Sequence, residues 1–209
     1  MMGKMSVTEA LRKVLEDEHW TRKTLLGGLF LWMPILFFFS KGYLMQLLRA
    51  AIRRETDKGL PIWRAGESFV LGAKAFAVWV LYYILPALFL WLASINRGNP
   101  AYSTLLTIGI ALGIISTLFL PWGAAVWLST GSVRSAFDIR RILKVFGFFG
   151  EYLDVLVRCL LLILFSAGMP FAGFFVAMAC MQLLGEVTGK YVEHSTGERP
   201  EVSQRGGVT

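Results

Sequence analysis

Residues that commonly carry chemistry are scarce in this sequence. Its 209 residues include only two cysteines and two histidines, and charged residues make up 17% of the chain, against about 25% in soluble domains. Cys159 and Cys180 lie in apolar stretches and lack the spacing of a zinc site or a disulfide framework. His19 and His194 lie outside those stretches. The chain alone therefore offers no histidine to ligate a haem or chlorophyll inside a bilayer.

Catalytic signatures are also missing. The sequence contains no HExxH, GxSxG or phosphate-loop motif and no glycine-rich dinucleotide fingerprint. We therefore expect no enzymatic activity, no metal site and no cofactor other than a bound lipid or an apolar pigment. Aromatic residues amount to 14% of the chain, and they form either a groove for such an apolar molecule or a lipid-facing surface.

Hydrophobic residues, in contrast, make up 56% of the chain, which carries a formal net charge of +7. The apolar stretches are so long that we predict one all-α membrane domain at 1–191 and a disordered tail at 192–209. The basic residues lie between these stretches, which is typical of loops that face the cytoplasm and anionic lipid. We predict a multi-pass inner-membrane protein with both termini cytoplasmic. Its expected partners are the lipid bilayer and other membrane subunits, with no nucleic acid.

The apolar pattern predicts a polytopic transmembrane helical bundle with about six membrane-embedded segments. An amphipathic helix at 1–20 comes first, and it lies either at the membrane interface or on a neighbouring loop of the protein. The next segment is a hairpin that bends near Pro34, and its short arms either span the bilayer or re-enter it from one side. A basic amphipathic helix is expected at 129–149, and the last apolar region forms either two helices broken at Pro170 or one kinked helix. The predicted segments are the hairpin at 24–54 and helices at 66–95, 101–128, 151–168 and 170–191.

Two parts of the sequence match each other at a constant spacing. Matching registers of this kind favour two parallel copies of one helical hairpin, although apolar sequence also produces matches by chance. The first copy contains Met33-Pro34, Phe38-Phe39 and Met45-Gln46-Leu47-Leu48, and the second contains Met169-Pro170, Phe174-Phe175 and Met181-Gln182-Leu183-Leu184.

A series of short motifs runs through most of residues 16–191. The motifs are Asp17 to Lys23, Leu26-Gly27-Gly28, Pro34-Ile35, Gly42-Tyr43 followed by Arg49, Leu60-Pro61-x-Trp63, Gly72 with Lys74-Ala75-Phe76, Tyr83-x-x-Pro86 and Tyr152-Leu153. In order and spacing they resemble a family of prokaryotic membrane proteins, domain of unknown function 4013. The sequence departs from the family pattern at Arg64 and in its short final pair of helices. The resemblance implies the polytopic architecture and a prokaryotic membrane, but no activity and no site residues.

Small and charged residues inside the apolar segments are the first candidate functional residues. Gly109 and Gly113 form a GxxxG spacing, which supports packing either within this protein or against another subunit, and Gly27 and Gly28 are further packing candidates. Asp154 and Arg158 are four residues apart on one predicted helix. They therefore form either a neutral ion pair or part of a proton or ion relay.

Two glutamines complete the set of candidates. Gln46 and Gln182 hold equivalent places in the two hairpins, where they either hydrogen-bond between helices or line a solute site. With chemistry absent and packing signals present, we expect a non-catalytic membrane scaffold or accessory subunit of a larger complex. The alternative is a small-solute or ion transporter or channel, which needs a polar cavity between the repeated hairpins. An enzyme that uses a partner's cofactor comes third.

Overall fold

The computed structural model describes residues 6–31, 37–55, 60–166 and 170–196. These residues form eight α-helices with short 3₁₀ turns, and none of them lies in a β-strand. The bend predicted near Pro34 and the tail from residue 197 lie outside the described residues. The helices are α1 (Val7–Leu15), α2 (Trp20–Leu31), α3 (Phe37–Ile52), α4 (Ala65–Ile95), α5 (Ala101–Thr130), α6 (Ile139–Leu143), α7 (Phe149–Phe165) and α8 (Pro170–Thr196).

Helix α1 is amphipathic and packs on α8. The Ser6 hydroxyl accepts a hydrogen bond from the backbone N–H of Glu9 at 3.1 Å, which satisfies one of the free donors at a helix start. Ala10 and Val14 are buried, in clusters that include Leu183 and Met178 of α8. Within the chain, α1 therefore lies against α8.

Helices α4 and α5 form a long antiparallel hairpin. The Ser116 hydroxyl donates to the carbonyl oxygen of Tyr82 at 2.9 Å, and Gly109 lies against Leu90. The turn between the helices contains Gly98 with a φ of 94°, a left-handed conformation that glycine adopts without strain. This pair of helices matches the predicted segments closely, because long apolar runs flank one short polar turn.

The outward surface of the α4–α5 hairpin is apolar. Ile84, Trp91 and Ile114 are 60%, 58% and 57% exposed, and soluble proteins rarely leave large apolar patches uncovered. Three helices are long and apolar enough to cross a membrane, namely α4, α5 and the Ala172–Tyr191 part of α8. The chain is therefore a membrane protein.

The predicted number of six membrane-embedded segments is not confirmed. Helices α2, α3 and α7 contain 12, 16 and 17 residues, whereas a helix needs about 20 apolar residues to cross a bilayer core. Helix α8 also continues to Thr196, past the boundary predicted at residue 191. Length and composition thus support three crossings among the described residues.

Helices α3 and α8, which the sequence match pairs with each other, run parallel and in contact at the centre of the bundle. Tyr43 lies next to Phe174 near their starts, and Ala51 and Ile52 lie against Gly185 and Gly189 near their ends. The two glycines bring the α8 backbone close to α3, since any side chain there would overlap Ala51 or Ile52.

The basic amphipathic helix predicted at 129–149 is wrong as a continuous helix. Helix α5 ends at Thr130, and its C-cap Gly131 has a φ of 75°. The chain then forms two 3₁₀ turns, one on each side of the five-residue α6. The hydroxyl of Tyr82 donates to the carbonyl oxygen of Ala136 at 2.6 Å. Because this bond holds the chain against the α4–α5 hairpin, the segment folds back instead of extending as one helix.

Candidate functional site

Asp17 and Lys23 join the N-terminal part of the chain to the connection between α3 and α4. The Lys23 ammonium donates to both Asp17 carboxylate oxygens, at 3.1 and 3.0 Å, and to the Leu60 carbonyl oxygen at 3.3 Å. The Leu60 N–H donates to Asp17 at 3.1 Å. We call these three residues the clasp, because they tie together segments 43 positions apart in the sequence.

The clasp keeps its carboxylate ionised. Burial alone would raise the pKa of Asp17, but hydrogen bonds from Lys23 and from the backbone N–H groups of Leu60 and His19 hold that pKa below its ordinary value. The two charged side chains are 11% and 13% exposed. Such an ion pair is largely shielded from solvent screening.

Trp63 fixes the same connection onto the centre of the bundle. Its ring stacks on Tyr43 of α3, with ring centroids 4.6 Å apart and planes inclined by 12°. It also lies 6.4 Å from the ring of Phe174 on α8. The connection before α4 is therefore held by hydrogen bonds between the Leu60 backbone and the Asp17–Lys23 ion pair, and by the aromatic packing of Trp63.

An apolar cavity of about 210 Å³ lies between α3, α4, α5 and α8. Its lining includes Leu48, Val78 and Leu184, and Lys41 is its one charged residue. The Lys41 ammonium lies 4.6 Å from the ring centroid of Phe37, a cation–π distance. The volume is below the range of about 300–1,000 Å³ for small-molecule sites, so the cavity fits part of an acyl chain better than a whole solute.

Comparison with known families gives one match. The family model described as "Protein of unknown function (DUF4013)" matches residues 25–182. The chain belongs to this family. The resemblance of the sequence motifs to domain of unknown function 4013 is thereby confirmed. No curated protein and no solved structure matches the chain.

Several motif residues of this DUF4013 chain meet in space. The clasp joins the Asp17 to Lys23 motif to Leu60, and Trp63 stacks on Tyr43. Sequence reasoning treated these motifs as marks of resemblance and assigned them no contacts. The one signal that could have linked these motifs is that buried charged side chains usually contact opposite charges and buried aromatic side chains usually contact other aromatic ones.

The predicted packing glycines have different surroundings. Gly27 faces the ring of Phe174, and Gly109 faces Leu90, so both positions pack within the protein. Gly28 is buried. Gly113, in contrast, has no neighbour within 4 Å of its Cβ position among the described residues. The GxxxG spacing therefore contains one glycine that packs inside the chain and one that faces outward.

Asp154 and Arg158 form a direct ion pair on α7. Their closest oxygen and nitrogen are 2.7 Å apart, and a second nitrogen donates at 3.2 Å. Beside them on α8, Glu186 and Lys190 pair at 3.0 Å. Both pairs line one small depression together with Glu151. The ion pair expected between Asp154 and Arg158 is therefore formed. Pro170 is the first residue of α8.

Gln46 and Gln182 are both buried, and neither side-chain amide has a hydrogen-bond partner in the part of the chain that the structure describes. The predicted bond between helices is therefore not formed by these side chains. Gln46 instead lines a separate pocket at the α3–α4 end of the molecule.

The described residues contain no cluster of three or more histidine, cysteine, aspartate or glutamate side chains suited to a metal ion. Cys159 and Cys180 are buried, and each thiol lies 3.9 Å from the other residue's carbonyl oxygen. This geometry gives the two cysteines a packing role at the α7–α8 contact.

Proposed function

We propose that this membrane protein is a non-catalytic scaffold or accessory subunit that holds a transmembrane helix of another subunit. The observation that carries the proposal is an outward-facing groove on the α4–α5 hairpin. It has a volume of about 360 Å³, and its lining residues are Tyr83, Ile110, Gly113, Ile114, Thr117 and Leu118.

The composition of this groove suits a helix better than lipid tails. Gly113 leaves room for a close backbone approach. Tyr83 and Thr117 hydrogen-bond to each other at 2.7 Å on the exposed surface, which places two hydroxyl groups at the groove. Small residues with a few hydroxyls are typical of helix contacts in membranes.

The interior of the bundle supports the same proposal over transport. A transporter built on the two hairpins needs a polar cavity between them, whereas the described cavity between α3 and α8 is apolar apart from Lys41. We propose that the bound lipid or apolar pigment that the composition suggests occupies that cavity with a single chain or tail.

We propose an inner-membrane orientation with the basic end, and with it both termini, in the cytoplasm. The close contact of Ile52 with Gly189 supports it, because Arg53 and Lys190 then lie at the same end of two parallel helices. Tyr191 also packs on Phe148 at 5.6 Å, so the basic segment after α5 lies near that end as well.

A photo-crosslinking residue at position 113 tests the partner helix in native membranes. The matched control is position 85, because Leu85 is 50% exposed but lies two residues from Tyr83 and therefore points to the other side of α4. We expect one product of defined mass from position 113, identified by mass spectrometry as a different membrane protein, and none from position 85.

Three outcomes contradict the proposal. They are equal smears from both positions, a product of twice the mass of the chain, and a monodisperse monomer after mild-detergent purification without any crosslinked partner.

A further inference from the structure

An open polar pocket of about 350 Å³ lies where the end of α3 meets the start of α4. We call it the corner pocket. Its size falls within the range of about 300–1,000 Å³ that small-molecule sites occupy. The corner pocket is lined by Gln46, Arg49, Ala50, Arg53, Glu55, Pro61, Ile62, Arg64 and Glu67.

Gln46 is the deepest polar group of the corner pocket. The residue is 8% exposed, and neither the nitrogen nor the oxygen of its amide has a hydrogen-bond partner in the described part of the chain. An unpaired buried amide is unfavourable, and such groups in native proteins usually have a partner. The amide atoms are almost inaccessible as they stand, so a molecule in the pocket supplies that partner only when the Gln46 side chain turns toward it.

The charge of the corner pocket is suited to an anion. Its three arginines outnumber its two glutamates. Glu67 lies 4.0 Å from both Arg49 and Arg64, which is the outer limit of an ion pair. An oxyanion with two or three oxygens can therefore bind the guanidinium groups at closer range than Glu67 does.

Helix α4 begins at the edge of the corner pocket, which Arg64 and Glu67 line. Helix α4 has 31 residues, and its N-cap Arg64 makes no side-chain capping hydrogen bond. The first N–H groups of a helix, together with its dipole, favour phosphate. The backbone therefore supports the same class of ligand as the arginines.

Exposed apolar side chains next to the corner pocket distinguish a lipid from a free ion. Ile62 lines the pocket and is 76% exposed. Phe69 and Val70, at the start of the apolar surface of α4, are 40% and 52% exposed. Acyl chains attached to a phosphate in the corner pocket can cover this surface.

We propose that the corner pocket binds the phosphate headgroup of a glycerophospholipid. The guanidinium groups of Arg49, Arg53 and Arg64 hold the phosphate oxygens. The Gln46 side chain turns toward the pocket, and its amide then donates to a phosphate or ester oxygen. This proposal goes beyond the scaffold function and does not depend on a partner subunit.

The test uses the full chain, delipidated in mild detergent, and three added compounds. They are dioleoylphosphatidylglycerol, dioleoylglycerol, which has the same chains without phosphate, and inorganic phosphate. The readout is the apparent melting temperature from a thiol-reactive dye, since the two cysteines of the chain are buried until it unfolds. We expect a saturable rise with the phospholipid and no rise with the other two compounds at matched concentrations.

Three variants within the pocket and one control outside it locate the site. Arg49→Gln and Arg53→Gln each remove one charged hydrogen-bond donor, and each is expected to weaken phospholipid binding about tenfold or more. Arg140→Gln removes the same charge outside the pocket, and we expect it to leave the phospholipid response unchanged. Gln46→Leu should raise the melting temperature without lipid, because it removes an unpaired buried amide, and should reduce the gain from added phospholipid. A residue that only packs would not show these opposite effects.

Four results would overturn the proposal. If inorganic phosphate reproduces the full rise in melting temperature, the ligand is a free anion and not a lipid. If dioleoylglycerol reproduces it, the acyl chains alone are sufficient for binding. An equal loss with Arg140→Gln would mean general charge attraction. A Gln46→Leu variant with unchanged stability and unchanged phospholipid response would separate the glutamine from the site.

Discussion

The crossing of α3 and α4 offers the sharpest test of how this bundle is held together. Two glycines lie at the crossing, one on each helix. A Cβ atom on Gly42 would overlap the carbonyl oxygen of Ser68, and a Cβ atom on Gly72 would overlap the carbonyl oxygen of Phe38. The neighbouring atoms are backbone, so no side chain can rotate away. Alanine at either position is therefore expected to force the two helices apart.

The magnitude follows from the packing that would be lost. Relief of the overlap needs a shift of about 1–2 Å, and a gap of about 0.5–1 Å already forfeits a quarter to a half of the attraction between packed atoms. The contacts affected include Phe38 with Phe69 and with Phe76, at ring centroid distances of 5.9 and 5.4 Å. Overpacking typically destabilises a protein by about 1–3 kcal/mol. With the lost ring contacts added, we expect Gly42→Ala or Gly72→Ala to lower the free energy of unfolding by about 2–4 kcal/mol.

The assay is thermal unfolding in mild detergent, followed with a thiol-reactive dye at the two buried cysteines. At about 2–4 °C per kcal/mol for a chain of this size, each variant should lower the melting temperature by roughly 5–15 °C. The matched control is Gly173→Ala on α8, where nothing lies within 4 Å of the Cβ position among the described residues. That variant should be neutral or slightly stabilising.

One separation of α3 from α4 relieves the overlaps that both substitutions create, so the double variant should lose less stability than the sum of the single variants. If Gly42→Ala and Gly72→Ala both melt with the wild type, or fall no further than Gly173→Ala, the close α3–α4 contact does not hold the bundle together and the reasoning fails.

Two further predictions concern the clasp and the segment after α5. Because the folded-state pKa of Asp17 is lowered from 3.8, the clasp contributes stability at pH values above about 4, and the contribution is lost as pH falls through the lowered pKa. As pH falls through that acidic range, the melting temperature should fall less steeply for Asp17→Asn than for the wild type. The control Glu16→Gln should follow the wild type. Parallel curves for all three proteins would refute the role assigned to Asp17. Tyr82→Phe removes the hydrogen bond to Ala136, with a loss of about 1 kcal/mol, and should speed tryptic cleavage at Arg134 and Arg140. Tyr83→Phe is its control, and equal cleavage rates in the two variants would contradict the anchoring role.

The sequence predicted the α4–α5 hairpin well and the segment after it poorly. The hairpin is encoded locally, because apolar runs and the polar turn at Asn96–Pro100 leave few alternatives. The segment at 129–149 does have an amphipathic pattern. Gly131 adopts a left-handed φ there, and the bond from Tyr82 comes from a residue 54 positions away. A pattern within one segment cannot reveal such a distant partner.

The candidate residues show the same limit at the level of single side chains. Gly109 and Gly113 belong to one motif, yet Leu90 covers only the first, because the rotation of α5 against α4 depends on contacts along the whole hairpin. Asp154 and Arg158 were predictable as a pair, since both lie on one helix face four residues apart. Gln46 was identified from its place in the repeat. The residues around it lie on α3, on α4 and on the connection between these helices, and α4 is not part of the repeat.

The charged groups of the bundle separate into those with partners inside the chain and those that lack them. Asp17 with Lys23 and Asp154 with Arg158 are paired at 3.0 and 2.7 Å, so their charges are already neutralised and they leave little to offer a ligand. The corner pocket differs, because Gln46 has no partner among the described residues and the contacts of Glu67 with two arginines are at the limiting distance. Buried polar groups without partners are unfavourable unless a ligand completes them. The corner pocket thus combines an unpaired buried amide with loosely paired arginines, beside the first exposed apolar residues of a spanning helix, where the headgroups of a bilayer would lie.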